Sequence, residues 1–451
     1  MSNRQPSLEL WGGVECTINR VGDRFFDQLD RLGHRDRAEQ DLQRFADLGI
    51  KALRTGLQWE RFEATGSWAD FDDMLSIMDR LQLRPIAGLL HHGSGPPSTN
   101  LLDPEFPEKL AAYALKVAQR YPHILDYTPV NEPQTTGRFA CLYGHWYPHD
   151  KSMQSYVRAL YHQIKGVALS MQAIRSVQPA ARLIHTEDGG AIFSTPQLEG
   201  YRQDREHRRW LGTDLLCGCV TRRHPLFSFL LEHGLSETEI LWFVENPCPP
   251  SVLGLNYYVT SDRFLDHRVE FYPGLAGGDT QNEPLVDFEA VRVRPEGILG
   301  VGNMLRQAWD RYHLPMAITE AHLGCEPVEQ TRWLAEVWQE TEKVRQAGVD
   351  VRAVTVWALL GSFDWCHLCT WPAGDYEPGI FDISKGTPEP TALSALAFQL
   401  GHGLPPGRAA TERGWWHHPD RLTIPSFVKT PEDMVMPMSS WHPQFEAQQS
   451  T

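Results

Sequence analysis

No stretch of the chain approaches the roughly 18 consecutive apolar residues of a membrane-spanning helix, and the opening MSNRQPSLELWGG has no basic segment leading into an apolar core. A soluble, unexported, cytoplasmic protein with no membrane span is the expectation. Cysteine is sparse. Cys16, Cys141, Cys217, Cys219, Cys248, Cys325, Cys366 and Cys369 are spread over 451 positions, a dilution that suits reduced thiols rather than a disulfide framework. Cys366-His367-Leu368-Cys369 is the one run with metal-binding character, and without a second ligand pair at matching spacing it reads as a loop with ordinary thiols, so no metal is expected. Positive charge is in deficit. The 42 Lys and Arg stand against 57 Asp and Glu, a formal net charge of −15 that repels phosphate backbones and makes nucleic acid an unexpected partner. No G-x-G-x-x-G turn follows the first apolar segment, which counts against a nicotinamide cofactor. Internal repeats, Gly/Ser linkers and low-complexity tracts are absent, which excludes solenoids and flexibly tethered arrays.

What is present is a composition with 41% hydrophobic and 22% charged residues, able to bury a large core. Short β-rich apolar runs alternate with amphipathic segments along the whole length. The runs Leu8 to Glu15, Ala52 to Gly56, Pro85 to Leu90, Tyr127 to Asn131, Leu183 to Glu187, Val252 to Asn256, Ala317 to Glu320 and Val354 to Trp357 predict eight strands. The patterns Arg35 to Leu48, Phe71 to Leu81, Pro107 to Arg120, Met153 to Ser176, Glu296 to Tyr312 and Val328 to Ala347 predict helices between them. Eight strands with a crossover after each predict an α/β fold, a single (β/α)8 TIM barrel over residues 1–400. About 60 residues separate the fifth and sixth strands and a similar stretch precedes the seventh; such insertions belong in the loops after strands, where barrels build their sites. Residues 401–451, with Pro405-Pro406, Trp415-Trp416 and a Met/Pro-rich end, lack periodicity and are expected to form an irregular tail that packs on the barrel or is partly flexible.

Catalytic groups in such a barrel project from the C-terminal ends of strands, so polar residues that close apolar runs carry most functional weight. Three runs close on a carboxylate: Tyr127-Thr128-Pro129-Val130-Asn131-Glu132, Met316-Ala317-Ile318-Thr319-Glu320 and Leu183-Ile184-His185-Thr186-Glu187. A lone acid at a strand end is more often a structural cap than a catalyst. Two acids facing each other from the fourth and seventh strands differ, because glycoside hydrolysis needs one carboxyl held protonated for the leaving oxygen and another held ionised to attack or to activate water. Aromatic residues fit the same chemistry, since sugar rings stack on them. Trp11, Trp59, Trp357, Trp365 and Trp371 lie at strand ends or in the following loops, although any one of them could equally fill the core.

From Leu10-Trp11-Gly12 to about Gln399 the chain resembles the family 1 glycoside hydrolases, retaining β-glycosidases of the large (β/α)8 clan, as a divergent member. Asn131-Glu132-Pro133 is similar to the family's Asn-Glu-Pro motif, which implies Glu132 as acid/base and Asn131 as a ligand of the 2-hydroxyl. Pro315-Met316-Ala317-Ile318-Thr319-Glu320 resembles its Ile-Thr-Glu-Asn motif, which implies Glu320 as nucleophile. Ala52-Leu53-Arg54 followed by Trp59 resembles the Tyr-Arg-Phe-Ser-x-x-Trp strand and implies Arg54 beside that nucleophile. Leu255-Asn256-Tyr257-Tyr258 resembles the Asn-Tyr-Tyr strand, implying that Tyr258 donates to the same carboxylate. His92-x-x-x-Pro96 keeps the spacing of His-Trp-Asp-x-Pro and implies His92 as a sugar ligand. The segment Trp357 to Trp365 resembles Trp-Ser-Leu-Leu-Asp-Asn-Phe-Glu-Trp and implies Trp357, Asp364 and Trp365 around the glycone. The family's N-terminal Gln counts to Asn19, with Glu15 a nearby competitor.

Departures from the family bear on substrate. Asp364 is shorter than the family's Glu, which implies a weaker grip on the 4- and 6-hydroxyls; Gly93 stands where the family has Trp and Ala321 where it has Asn, implying a smaller pocket wall. The resemblance implies a retaining, β-glucosidase-like glycoside hydrolase acting by double displacement on a small glycoside or oligosaccharide, with no cofactor and no metal. Its two carboxyls should then stand about 5–5.5 Å apart. A transglycosidase using the same residues and a non-catalytic carbohydrate-binding barrel are the alternatives. Glu187 reads as support for a neighbouring loop and as the reserve acid. The sugar, the aglycone and the oligomeric state are not legible.

Overall fold

Runs that are apolar at consecutive positions suit strands covered on both faces. The computed structural model describes residues 7–273 and 284–423, and there the eight runs form one closed parallel barrel. Its strands, one to eight, are Glu9–Gly13, Ala52–Gly56, Arg84–Gly88, Asp126–Thr128, Arg182–Asp188, Val252–Asn256, Met316–Ala321 and Val351–Val356. Each pairs with its sequence neighbours, and the eighth with the first. Strand four stops at Thr128, short of the expected Asn131, because Pro129 has no N–H to give the ladder. Asn131 rejoins the sheet through isolated bridges to His91 and Thr186.

Trp11, Ala52, Ile86, Ile184, Val252, Ala317 and Ala353 form a separate buried apolar layer, one residue from each of seven strands. They alternate with residues that face the surrounding helices and so plug the barrel beneath its C-terminal mouth. Trp11, with Nε1 donating to Glu9 at 2.8 Å, is therefore floor rather than sugar platform.

The helices Ala38–Asp47, Ala69–Arg80, Phe106–Arg120, Met153–Val177, Val301–Tyr312 and Pro327–Gln346 occupy the segments their periodicity predicts. The fifth starts later than Glu296 because Gly297 and Gly300 adopt left-handed backbone, with φ of 84° and 79°. The insertion after strand five holds three further helices, Glu199–Leu216, Phe227–Glu232 and Glu237–Glu245. The two insertions also meet: Arg263–Asp266 pairs parallel with Ile192–Ser194 and antiparallel with Val286–Glu289.

Beyond the helix Ala392–Gly401, which packs on strand one, the chain follows the barrel surface to Thr423. Trp416 is buried edge-on to Trp333 at 5.3 Å and donates to Glu336 at 2.9 Å, while Arg421 donates to the carbonyls of Arg294 and Pro295. The rest of the expected tail, 424–451, lies outside the described residues. Among the described residues no helix is long and apolar enough to cross a membrane.

Candidate active site

Strands four and seven carry Glu132 and Glu320 to the same end of the barrel, where both are buried. Asn256 closes strand six in register with Glu320. Its amide nitrogen donates to Glu132 Oε1 at 2.7 Å, and its side chain favours the ionised form of Glu320. From strand two, Arg54 donates Nη1 to Glu320 Oε1 at 2.9 Å and Nη2 to Asn131 Oδ1 at 2.8 Å. The Tyr258 hydroxyl donates to Glu320 Oε2 at 2.5 Å. Arg54, Asn131, Glu132, Tyr258 and Glu320 thus meet, as does Asn256, a polar residue closing an apolar strand to which the sequence reading gave no role.

The two carboxyls are supported unequally. Burial pushes Glu132 up to about 8, and the charges of Glu320 and Asp188 add to the rise. Burial also raises Glu320, but the Arg54 guanidinium and the Tyr258 hydroxyl pull it back. Glu132 has a neutral amide where Glu320 has a cation and a phenol, so a proton shared by the pair resides on Glu132 and the charge on Glu320. The neighbouring imidazoles stay neutral: burial, helped by Arg54, lowers His92 to about 3 and holds His91 well below its ordinary value. Their Nε2 atoms accept from Asn131 Nδ2 at 3.3 and 3.1 Å, which leaves His92 Nδ1 to donate to Thr136 at 3.0 Å. Asn131 Oδ1 accepts from Thr186 at 2.8 Å as well as from Arg54. The Asn131 amide is saturated by protein partners and ties four strand ends together.

Aromatic rings gather beside the pair. The Trp357 ring stacks on His91, centroids 5.3 Å apart and planes 5° from parallel, with the Arg54 guanidinium 4.9 Å from its centroid. Gly13 makes this possible, because a Cβ there would lie 2.2 Å from the indole. Trp365 stands edge-on to His92 at 5.4 Å and to Trp146 at 6.1 Å. Its Nε1 is buried without a hydrogen-bond partner among the described residues. Asn19 donates Nδ2 to the Cys369 carbonyl at 2.9 Å and leaves a buried Oδ1 equally unpartnered. One donor and one acceptor are thus free for hydroxyl groups. Glu15, the competitor, is also here: it accepts from the Thr17 amide at 2.9 Å, and burial, with the charge of Glu320 adding, raises it to about 7.

Other expected residues do different work. The oxygens of Asp364 accept from Arg31 and from the amides of Gly374 at 2.8 Å and Asp375 at 2.9 Å. The carboxylate is completely buried and braces its own loop instead of extending toward a sugar. Trp59 packs on Tyr113 and Phe106 in the core, and Trp371 is exposed, stacked on His367. Glu187 lies under the helix Glu199–Leu216, its Oε1 2.5 Å from where a Cβ of Gly212 would be, and accepts from the Gln134 amide at 3.4 Å. It supports the loop after Glu132. At Gly93 the wall is not simply smaller, because Glu60 Oε1 occupies the space, 2.0 Å from a Cβ position.

No family model matches the sequence. The β-galactosidase of Saccharolobus solfataricus is 23% identical over 273 residues, 57% of this chain, which spans about half (52%) of that protein. The β-glucosidase A of Thermotoga maritima is 22% identical over 371 residues, 74% of this chain and 79% of that protein. Among solved structures, the family 1 β-glucosidase of Thermotoga maritima in complex with isofagomine lactam shares the fold with a TM-score of 0.69 at 16% identity, over 88% of this chain and 98% of that one.

Proposed function

We propose that this chain, a divergent relative of the family 1 glycoside hydrolases, is a retaining β-glycosidase that works by double displacement. The observation that carries the proposal is the unequal support of two adjacent buried carboxyls, one ionised by Arg54 and Tyr258, the other kept protonated by burial and its neighbour's charge. Glu320 attacks the anomeric carbon while Glu132 gives its proton to the departing oxygen, and the glycosyl group becomes an ester on Glu320. Esterification removes the charge that raised Glu132, whose affinity for a proton falls. Glu132 then takes a proton from water as that water displaces Glu320. An inverting route needs about 6.5–9.5 Å between the carboxyls for an intervening water, and the direct support of Glu320 by Arg54 and Tyr258 favours its use as a nucleophile instead.

The glycone packs on Trp357, with Asn19 Oδ1 and Trp365 Nε1 taking hydroxyls. Nucleophile, acid and base all come from side chains, so the reaction needs no cofactor. The eight unpaired cysteines fit a reducing cytoplasm. A panel of aryl β-glycosides (glucoside, galactoside, fucoside, mannoside, xyloside) tests the reading, with turnover of at least one expected. Failure on every β-glycoside together with turnover of α-linked ones would overturn it. Because Asp364 is bound within its loop, a 6-deoxy sugar should be accepted within about tenfold of its 6-hydroxy counterpart, less than the loss of a charge-assisted hydrogen bond would cost. Hundredfold rejection of β-fucoside relative to β-galactoside would show that another residue grips O6.

A further inference from the structure

The loop after strand eight gathers a ligand set that spacing alone conceals. Cys369, the obvious partner of Cys366, turns away: it is buried, with Sγ 3.5 Å from Gln28 Nε2. Asp375 takes its place. Cys366 Sγ lies 3.6 Å from Asp375 Oδ2, His367 Nε2 lies 3.4 Å from the same oxygen, and the three donor atoms are all within 4.8 Å of one another. Tetrahedral zinc ligands, with bonds of about 2.0–2.3 Å, stand roughly 3.3–3.6 Å apart. The His367–Asp375 separation is longer than an ordinary N–H···O hydrogen bond of about 2.7–3.2 Å. Neither ring nitrogen of His367 has a hydrogen-bond partner among the described residues, although the side chain is 7% exposed. No Lys or Arg among the described residues pairs with Asp375, whereas Arg31 answers the charge of nearby Asp364. The cluster therefore brings soft, borderline and hard donors within 4.8 Å of one another, around a buried imidazole that has no hydrogen-bond partner among the described residues and whose Nε2 also lies 3.5 Å from Asp364 Oδ1, and a carboxylate that no Lys or Arg among the described residues answers.

We propose that Cys366, His367 and Asp375 bind a zinc-like divalent cation, with a fourth position open to water. Thiolate and carboxylate together neutralise the ion, and binding releases the thiol proton. The ion would clasp the loop that begins at Trp365, and so hold that indole against the glycone space from the outside. This inference stands on the ligand geometry and is independent of the glycosidase reading.

Untagged full-length protein, stripped with a chelator, is dialysed against Zn²⁺ alone and, separately, Co²⁺ alone. The wild type should retain one zinc per chain and show a thiolate-to-cobalt charge-transfer absorption. Cys366→Ser should abolish that absorption, and Cys366→Ser and Asp375→Asn should each weaken zinc binding at least about tenfold. Cys219→Ser, which alters an exposed thiol elsewhere, should behave as wild type. Zinc should raise the melting temperature of the wild type and of Cys219→Ser but not of the two ligand variants. Both ligand side chains are exposed, and near-UV circular dichroism identifies any variant that misfolds. No zinc retained by the wild type, or a cobalt absorption unchanged in Cys366→Ser, would overturn the proposal.

Discussion

Three residues around the site, His92, Glu132 and Asp364, adopt left-handed backbone, with φ of 54°, 44° and 61°. Such conformations cost non-glycine residues on the order of 1–3 kcal/mol each and persist where the surroundings over-determine them. For Glu132 the determinants are its amide donating to the Thr186 carbonyl at 3.1 Å and Asn256 on its carboxyl. If Glu132 is the acid, Glu132→Ala should cost alkyl glycosides about 10²–10⁴-fold in kcat/KM while activated aryl glycosides keep more of the first step; azide should restore turnover and give a β-glycosyl azide. Equal rates for mutant and wild type on an alkyl glycoside would move the role elsewhere, first to Glu187. Since Glu132 must carry a proton and is raised to about 8, kcat/KM should fall as pH rises through that region. Tyr258→Phe removes a donor that lowers Glu320, so the acidic limb should shift to higher pH; an unmoved limb would mean that Glu320 does not set it. The paired acids, Arg54 and Tyr258 are legible in sequence because each lies at or beside the end of an apolar run. The grip of Arg31 on Asp364 is not, because 333 positions separate them and no spacing rule connects such partners.

At the scale of elements, the eight strands are legible because fully buried strands are continuously apolar, while the end of strand four needs the added knowledge that Pro129 cannot donate. The helix Glu199–Leu216 escapes periodicity for a physical reason. Its buried face includes Arg205, Arg208 and Arg209, and Asp287, Asp204 and Glu206 neutralise them, so a hydrophobic stripe is not what marks that side. Strand one adds a constraint that composition hides, namely that Gly13 must lack a side chain for Trp357 to lie where it does. Gly13→Ala should displace the indole by about an ångström or more and lower kcat/KM on the order of a hundredfold, with unchanged far-UV circular dichroism. Wild-type kinetics in this variant would show that Trp357 is not the floor of the glycone space.

The whole molecule buries carboxyls that fold in the protonated form. Glu15 is raised to about 7 and Glu60 and Glu132 to about 8, each chiefly by burial, from an ordinary value of 4.5. Unfolded chains release these protons near pH 4.5, whereas the folded protein keeps them until pH 7–8. Folding therefore takes up protons in between, and the stability these groups contribute is fully present below pH 4.5 and lost as pH rises to about 8. Urea midpoints should decline across that window. Glu60→Gln, which removes one such acid, should flatten the decline; an unchanged slope would show that Glu60 does not titrate on unfolding. The barrel and the end that carries the paired acids are legible as an arrangement of strands, but this shared protonation is not, because it depends on how many acids one interior encloses.

The stereochemistry of the first-formed product tests the central claim most directly. Proton NMR during early turnover of an aryl β-glycoside, before mutarotation, should show the β-anomer, as two displacements at one carbon require. An initial α-anomer would mean a single displacement by water, and Glu320 would not be a nucleophile.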